Sequence, residues 1–457
     1  MDKYFFVGLV LCGFLFACGN DAIELDEETP VDEIFRELAF SKSDTCFVGD
    51  TASVLTLQLD CNVSYTVSVL EDSQAWITVD DLSASLFDCP STRDILQNQN
   101  KDWIILRIAA NVSDSARVGR VVVSNEYYGL SDTLTVAQSA KNDCYTDGSW
   151  SKIAVSTCGA ANLVIMGDGF TKEDLGKNGF YEHCMNLAAE YFFSTEPFKS
   201  YRNYFNIYMV VAESEEAGVG EKNLMNIREN KFGSAYGSGT EIVCDVDLVM
   251  NYARKIGELP ENKPITVIVV LNSTKYAGTT YLYANGDAIA LCPMSTNPAP
   301  NDFEGIVRHE ACGHGFGFLA DEYVYFQQEI PNKRKQEIKA WQKLGFQMNL
   351  DFTNDSTSIL WKDFIGLDKY KRVGAYAGGC EYQYGVWCSE ENSCMNNNVP
   401  YFNTQSRWSI VNRIMTISEK TFSILEFIEM DNDERPVATR TTSTDSFIPL
   451  GNPVWIQ

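Results

Sequence analysis

The sequence contains few histidines and few positive charges. Its 457 residues include only 3 histidines, and 36 lysines and arginines stand against 62 aspartates and glutamates, for a formal net charge of -26. Proteins that bind nucleic acid neutralise phosphates with a basic surface. The charge therefore excludes nucleic acid as a partner and favours solubility.

Long apolar runs are also scarce. One run, residues 4–16, follows Lys3, and no later stretch is long and apolar enough to span a membrane. Its length suits a signal peptide and is short for a membrane helix. Leu-Phe-Ala-Cys at 15–18 has the form of a lipobox, in which Cys18 is lipidated. We expect residues 1–18 to be a lipoprotein signal peptide, with an ordinary cleaved signal peptide or a buried N-terminal helix as the alternatives.

An acidic segment follows the lipobox. Residues 19–34 carry six acidic side chains after position 23 and few groups that can be buried, so they are predicted to form a linker. The segment resembles the acidic leader of surface-exposed lipoproteins of the Bacteroides group. That resemblance implies an outer-membrane lipoprotein exposed at the cell surface, with a periplasm-facing location as the alternative. The membrane would be contacted only through the N-terminal lipid.

Paired cysteine motifs are missing. Of the 14 cysteines, 12 follow Cys18, and export would bring them into a compartment where disulfides persist. Cys380, Cys388 and Cys394 are close in sequence, but there is no Cys-x-x-Cys pair and no histidine beside them. Structural disulfides or buried free thiols are favoured over a cysteine metal site.

Two of the three histidines flank one glutamate. A catalytic zinc site needs about three histidine or carboxylate ligands, an open position for water and a carboxylate that takes the proton of that water. His309, His314 and Asp321 are the candidate ligands, and Glu310 is the candidate base. Glu322 is the alternative to Asp321.

The spacing of the two histidines is unusual for a helix. In the common His-Glu-x-x-His motif they are four residues apart, whereas His309 and His314 are five apart. Five residues of a regular α-helix turn about 500°, which leaves the two rings roughly 140° apart. A single π-turn would restore the common face. We therefore predict a local widening of the helix around residues 311–314, where Gly313 lies.

The sequence from 309 to 323 resembles the signature of the bacterial immunoglobulin A peptidases, family sixty-four of the metallopeptidases. The family usually shows His-Glu-x-Gly-His and then Leu-x-Asp-Glu-Tyr; residues 313–323 agree with it, while Ala311-Cys312 is one residue longer. Dipeptidyl peptidase III, an unrelated zinc peptidase, has the same longer spacing. Gly317 also occupies the place of the metzincin glycine, and Met395 is either the metzincin methionine or a core residue. Further similar segments are 167–171, 196–202, 205–208, 393–398 and 400–403.

Residues 35–140 show short alternating apolar and polar runs, which predict an all-β, immunoglobulin-like sandwich domain. The segments 76–79, 105–111, 117–123 and 135–138 resemble the BACON domain of Bacteroidetes surface proteins, which implies carbohydrate as a ligand. Trp76 and Trp103 would be the stacking platforms, although strand tryptophans are more often packing residues. A spacer that holds the enzyme away from the membrane is favoured.

Residues 141–435 alternate between apolar strands and helices, which predicts an α/β domain with parallel strands. The family resemblance implies that this is a metzincin-like zinc peptidase domain. Residues 436–457 are assigned as a C-terminal tail. Asp168 lies between a predicted strand and a predicted helix and is interpreted as a turn or N-cap residue. Residues 283–291 are the candidate edge strand for substrate backbone. The predicted strands are 161–166, 206–212, 265–271 and 288–292. The predicted helices are one that follows the turn at 167–173 and runs to about 193, and those at 327–343 and 406–416.

These features predict a monomeric, zinc-dependent endopeptidase of a bacterial cell surface that acts on host or dietary proteins and glycoproteins. Zn²⁺ would lower the pKa of a bound water, and Glu310 would be the general base. The oxyanion donor stays open among Tyr376, Tyr382, Tyr384, Tyr401 and Arg407. One alternative is a non-catalytic surface lipoprotein that binds glycan or protein on a degenerate peptidase fold. The other is a metal-dependent amidase acting on cell-wall peptides.

Overall fold

The computed structural model describes residues 36–41, 45–79, 100–141, 144–222, 225–260, 262–435 and 449–456. The predicted signal peptide, Cys18 and the acidic linker lie outside these residues and stay predictions. In the part of the chain that is described, no helix has both the length and the apolar character needed to cross a membrane.

The N-terminal part consists of two four-stranded sheets. The strands are β1 Leu38–Phe40, β2 Thr45–Val48, β3 Ser53–Cys61, β4 Thr66–Val69, β5 Ile77–Val79, β6 Asn100–Ile108, β7 Arg117–Asn125 and β8 Leu130–Gln138. One sheet has the order β1-β3-β6-β5 and the other β2-β8-β7-β4. Alternate residues such as Leu59, Leu106 and Val121 meet in one buried apolar cluster. The immunoglobulin-like classification and the domain boundaries stay predictions.

The two candidate sugar-stacking tryptophans have different environments. Trp76 is buried, and the Arg117 guanidinium lies 4.4 Å from its ring centroid. Trp103 is 51% exposed. Trp76 is therefore a packing residue, and only Trp103 presents its side chain to solvent. Carbohydrate binding stays a prediction.

A seven-stranded mixed sheet forms the centre of the remaining chain. Its order is β22-β16-β17-β15-β10-β11-β9, and the four strands from β17 to β11 are parallel, as the alternation predicts. All strands of this part are β9 Trp150–Ala154, β10 Ala161–Asp168, β11 Phe205–Val210, β12 Gly220–Glu221, β13 Ala235–Tyr236, β14 Ile242–Val243, β15 Ile265–Leu271, β16 Thr279–Tyr283, β17 Ala288–Pro293, β18 Val324–Glu329, β19 Leu350–Asp351, β20 Tyr376–Gly379, β21 Glu381–Cys388 and β22 Val454–Ile456.

Helices cover both faces of this sheet. They are α1 Phe180–Phe192, α2 Phe198–Tyr201, α3 Val246–Ala253, α4 Phe303–Ile306, the π-helix Val307–Phe316, α5 Asn332–Gln342, α6 Cys394–Asn397, α7 Thr404–Ile417 and α8 Ile424–Met430, with 3₁₀ turns at Lys172–Asp174, Arg202–Tyr204, Lys362–Phe364 and Asp368–Tyr370. Alternate side chains of β15 point to opposite faces of the sheet. Ile268 belongs to the apolar cluster that includes α1 and the π-helix, and Val267 belongs to the apolar cluster that includes α3.

Two helix predictions were wrong at their starts. The helix predicted to follow the turn at 167–173 and run to about 193 begins only at Phe180, because Asn178 adopts a left-handed backbone with φ 55° and interrupts it. The first residues of the segment predicted as a helix at 327–343 instead belong to β18, which pairs with β21. That pairing depends on a partner more than fifty residues away, so helix propensity does not decide it.

The prediction of an edge strand at 283–291 was also wrong. β17 lies between β16 and β15, so both of its sides are paired. The strand on the outer side of β16 is β22, from the C-terminal end of the chain, and the two run parallel. At Tyr281–Tyr283, the outer side of β16 is therefore covered by the protein's own chain.

Candidate metal centre

The segment with the two histidines is a π-helix of ten residues, Val307–Phe316, and every one of them is buried. In a π-helix, residues five apart follow one another along one face, because each N–H bonds the carbonyl five residues earlier. The last such bond runs from the Gly317 N–H to the Cys312 carbonyl at 2.8 Å. The predicted widening at 311–314 is confirmed, and it extends over the whole helix.

The π-helix brings His309 and His314 together with Asp321. The Asp321 Oδ1 atom lies 3.1 Å from His309 Nε2 and 3.3 Å from His314 Nε2. One ligand atom from each residue can be chosen so that all lie within 4.8 Å of one another, and all three side chains have no solvent exposure. Asp321 reaches this position because the chain turns after the π-helix: the Leu319 N–H bonds the Gly313 carbonyl at 3.0 Å.

Backbone carbonyls orient both imidazoles. His314 Nδ1 lies 2.8 Å from the Leu319 carbonyl oxygen, and His309 Nδ1 lies 3.3 Å from that of Cys394. A carbonyl only accepts hydrogen bonds, so Nδ1 carries the proton in each ring. This leaves Nε2 of both rings directed at Asp321, the usual orientation of metal-binding histidines.

Three buried polar atoms of the site have no hydrogen-bond partner. They are Glu310 Oε1, His314 Nε2 and Asp321 Oδ2. Leaving such an atom unsatisfied costs roughly 1–3 kcal/mol, and more when the group is charged. Two imidazole nitrogens and a carboxylate form a donor set that suits zinc. The residues present therefore fit a metal ion.

Glu310 lies beside this group without belonging to it. The Thr280 Oγ1 atom of β16 lies 2.6 Å from Glu310 Oε2, while Oε1 is unpartnered. A Cβ atom on Gly278 would come within 2.6 Å of Glu310 Oε1. The glutamate thus occupies space that only a glycine at 278 leaves open.

Glu322, the alternative third ligand, is engaged elsewhere. Its carboxylate accepts hydrogen bonds from Asn349 at 2.9 Å, from Asn403 at 2.8 Å and from the Ser393 hydroxyl. Burial raises the pKa of Glu322 to about 7 in spite of these donors. The geometry thus puts Asp321 with the histidines and gives Glu322 a role in connecting segments of the fold.

Protons would compete with a metal ion for the two imidazoles. Burial alone lowers the pKa of His309 and His314, but the Asp321 carboxylate outweighs it and raises both to about 9. Burial raises the pKa of Asp321, but the two histidines lower it further, so the net shift is downward. The pKa of Glu310 is raised, chiefly by burial. A metal ion would have to replace the histidine protons.

Met395 lies fully buried against the π-helix. A Cβ atom on Gly313 would come within 2.3 Å of its sulfur. Its neighbour Cys394 supplies the carbonyl that orients His309. Met395 thus packs beneath the site, which agrees both with a metzincin methionine and with a core residue.

Two of the candidate oxyanion donors lie in an ion cluster. The Arg407 guanidinium pairs with Asp431 at 2.7 Å, and the Tyr401 hydroxyl lies 3.0 Å from the Glu390 carboxylate. The Tyr376 hydroxyl donates to the Arg372 carbonyl, and Tyr384 is 55% exposed. No contact joins any of these four to the histidines within the described residues.

Tyr323 and Thr280 are the site neighbours that sequence reasoning left without a role. Tyr323 is buried two residues after Asp321, and its hydroxyl donates to the Leu450 carbonyl at 2.8 Å. Burial raises its pKa, and the charges of Asp321 and Glu310 add to this. Tyr323 stands in the signature motif and could have been singled out, whereas nothing in the sequence marked Thr280.

The remaining candidates have structural environments. Asp168 is buried at the end of β10 and accepts hydrogen bonds from backbone N–H groups of Gly169 and Phe232, in agreement with a turn role. Cys380, Cys388 and Cys394 are free thiols. Within those ranges, the histidine and aspartate group is the one cluster able to hold a metal.

Solved structures with some likeness come from Bacteroides species. An NMR structure of a protein from Bacteroides thetaiotaomicron matches 26% of this chain and 99% of its own length, at 15% identity and a TM-score of 0.16. A Bacteroides ovatus GH5 xyloglucanase in complex with a XXXG heptasaccharide matches 52% of this chain and 45% of its own length, at 14% identity and a TM-score of 0.19. No curated protein matches the chain.

One protein-family model also matches a segment of the chain. The model described as IgA Peptidase M64 matches residues 153–369, which include both histidines, Glu310 and Asp321. This segment of the chain is therefore similar to a family of metallopeptidases.

Proposed function

We propose that the protein is a zinc-dependent endopeptidase in which His309, His314 and Asp321 hold the metal. The observation that carries the proposal is the convergence of two imidazoles and a carboxylate in a buried site with unpartnered polar atoms. The match to a metallopeptidase family supports a peptidase. Zinc is proposed because histidine with carboxylate is a common ligand set of catalytic zinc.

The chemistry of the side chains follows from their positions. When bound, zinc would supply a Lewis acid that makes water a stronger acid at neutral pH. Glu310 would take a proton from the attacking water and return it to the leaving amine. The Thr280 hydroxyl, 2.6 Å from Glu310 Oε2, holds one oxygen of that carboxylate, so the other is free to face the water.

The setting of the enzyme is a second part of the proposal. The lipobox at Cys18 and the acidic segment after it support an outer-membrane lipoprotein at the cell surface, with residues 35–140 as a spacer. Host or dietary proteins and glycoproteins are the proposed substrates. A fold or family does not determine which protein is cleaved, because specificity resides in the loops around a site.

The test combines metal content with cleavage. Purified residues 19–457 should contain about one zinc per chain by elemental mass spectrometry, lose it to a chelator and regain it on addition of zinc. The zinc-loaded protein should cleave an unfolded protein substrate. Glu310→Gln should retain zinc and lose cleavage by a factor of at least about 10². Full activity in that variant would refute the role of Glu310.

One observation favours the non-catalytic alternative. The side chains of all three ligands and of Glu310 have no solvent exposure. A surface lipoprotein on a degenerate peptidase fold predicts no zinc uptake and no cleavage of proteins or of peptidoglycan fragments. Absence of metal after chelation and zinc addition would favour it.

A further inference from the structure

The segment 449–456 lies against two elements that neighbour the proposed metal site, the loop with Tyr323 and β16. Its backbone begins beside the site, where the Leu450 carbonyl accepts a hydrogen bond of 2.8 Å from the Tyr323 hydroxyl. The Pro449 carbonyl accepts one of 3.3 Å from Thr240. A peptide backbone therefore lies against Tyr323, two residues from Asp321.

The same segment then adds a strand to the central sheet. Val454, Trp455 and Ile456 pair in parallel with Tyr281, Leu282 and Tyr283 of β16. β16 begins beside Glu310, to which Thr280 is hydrogen-bonded. Addition of an extended segment to a sheet edge is a general mode of peptide recognition, since the main chain supplies the hydrogen bonds.

The side chain of Leu450 is fully buried. It belongs to the apolar cluster that includes Ala311 of the π-helix and Met395. Burial of a leucine side chain contributes roughly 1.5–3 kcal/mol. The Leu450 side chain thus fills a buried apolar subsite, and its carbonyl is held by Tyr323, two residues from Asp321.

The far end of the segment is anchored by aromatic contacts of Trp455. The Trp455 ring stacks on that of Trp341 with centroids 3.6 Å apart and planes 12° apart. Phe346 contacts the same tryptophan edge to face at 5.1 Å. This contact can be weakened without altering a group near Glu310.

We propose that residues 449–456 occupy the substrate groove, so that the protein binds extended peptides with a large aliphatic side chain in the Leu450 subsite and its own C-terminal segment competes with them. Tyr323 would hold a substrate carbonyl as it now holds that of Leu450. The expected effect on cleavage rests on the proposed peptidase function, whereas peptide binding can be measured without any cleavage.

The first experiment measures binding. A labelled nonapeptide with the sequence of residues 449–457 is titrated by fluorescence anisotropy into zinc-loaded protein that ends at residue 448. We expect saturable binding, which the intact chain lacks because its own segment fills the groove at a high effective concentration. The matched peptide with Leu450→Asp should not bind. Tyr323→Phe in the shortened chain should weaken binding about two- to tenfold, the value of one hydrogen bond.

The second experiment measures cleavage. The shortened chain should cleave an unfolded substrate at least about tenfold faster than the intact chain at low substrate concentration. The nonapeptide should then inhibit it by raising KM without changing kcat. Because removal of β22 exposes apolar surface, the intact Trp455→Ala variant is measured in parallel, and it should be activated to a smaller extent.

The outcomes separate the two proposals. Binding together with activation supports both. Binding without cleavage of any substrate supports occupancy of the groove and contradicts the peptidase function. Three results together overturn the inference. The shortened chain is folded by circular dichroism and binds zinc but cleaves no faster than the intact chain, it does not bind the nonapeptide, and the Trp455→Ala variant is not activated.

Discussion

Asp321 and Glu322 are adjacent acidic residues with opposite surroundings. Asp321 has one unpartnered oxygen and faces two histidines, whereas both oxygens of Glu322 accept hydrogen bonds from side chains of distant segments. A residue with free electron pairs can bind a metal, and one whose oxygens are all engaged stabilises the fold. Substitution of Asp321 should therefore affect metal binding, whereas substitution of Glu322 should affect stability.

Asp321→Asn and Glu322→Gln form a matched pair at the residue scale. We expect Asp321→Asn to lower zinc affinity by more than the roughly 10- to 100-fold typical of residues that only support ligands. Glu322→Gln should retain zinc but lower the free energy of unfolding by about 1–3 kcal/mol, since its amide would face the donors of Asn403 and Ser393. Competition titration and chemical denaturation measure these effects. The reverse pattern would make Glu322 the ligand.

Gly278→Ala tests the position of the proposed base. The added methyl group would come within 2.6 Å of Glu310 Oε1 and 2.7 Å of its Cγ, so the carboxylate must move. We expect kcat to fall about 100-fold while zinc stays bound, because displacement of a catalytic group by 1 Å has effects of that size. Gly257→Ala is the control, since nothing lies within 4 Å of its Cβ. Equal kcat in the two variants would contradict the proposed role.

At the scale of elements, the π-helix is the feature on which the site depends. It puts residues five apart on one face, and it ends at Gly317, whose N–H bonds the Cys312 carbonyl. A Cβ atom on Gly317 would lie 2.8 Å from the Gly313 carbonyl oxygen and 3.0 Å from that of Cys312. Glycine is required there because the neighbouring atoms belong to the backbone and cannot rotate away.

Gly317→Ala should therefore destabilise this helix end. We expect a loss of about 1–3 kcal/mol in the free energy of unfolding, the usual cost of forcing a methyl group into packed surroundings. Zinc affinity should fall as well, because Asp321 follows the turn that Gly317 begins. Denaturant titration with and without zinc measures both effects. Wild-type stability and affinity together would show that the turn tolerates a side chain.

How far an element could be predicted depended on where its partners lie. β10, β15 and β17 follow from apolar β-branched runs, and the π-turn follows from the spacing of two residues and the geometry of a helix. The start of α1 and residues 327–329 of β18 were misassigned, since a left-handed asparagine and a distant strand decided them. Local patterns do not carry such information.

At the scale of the molecule, the metal site connects distant parts of the chain. The π-helix, α6 and the loop with Asp321 all contribute groups, and His309 is oriented by a carbonyl 85 residues away. A ligand that binds only the native state stabilises it by mass action. Metal binding should thus be visible in the stability of the whole peptidase segment.

Removal of zinc should lower the melting temperature. With free zinc at about 1,000 times Kd, binding contributes about 4 kcal/mol, which for a domain of this size corresponds to roughly 8–16 °C. Differential scanning calorimetry of the zinc-loaded and chelated protein measures the shift, and a His309→Ala, His314→Ala double variant is the control that should show none. An identical melting temperature with and without zinc would contradict a site of this kind.

The sequence by itself determined the candidate ligands, the base and the need for a widened helix, because residue chemistry and spacing are properties of the chain. It also determined the parallel core strands, whose apolar runs are local. Only the tertiary structure shows that Asp321, and not Glu322, lies beside the histidines, that Thr280 contacts Glu310, and that Leu450 contacts Tyr323, 127 residues earlier. Contacts of that separation depend on how the layers pack, and no local pattern records them.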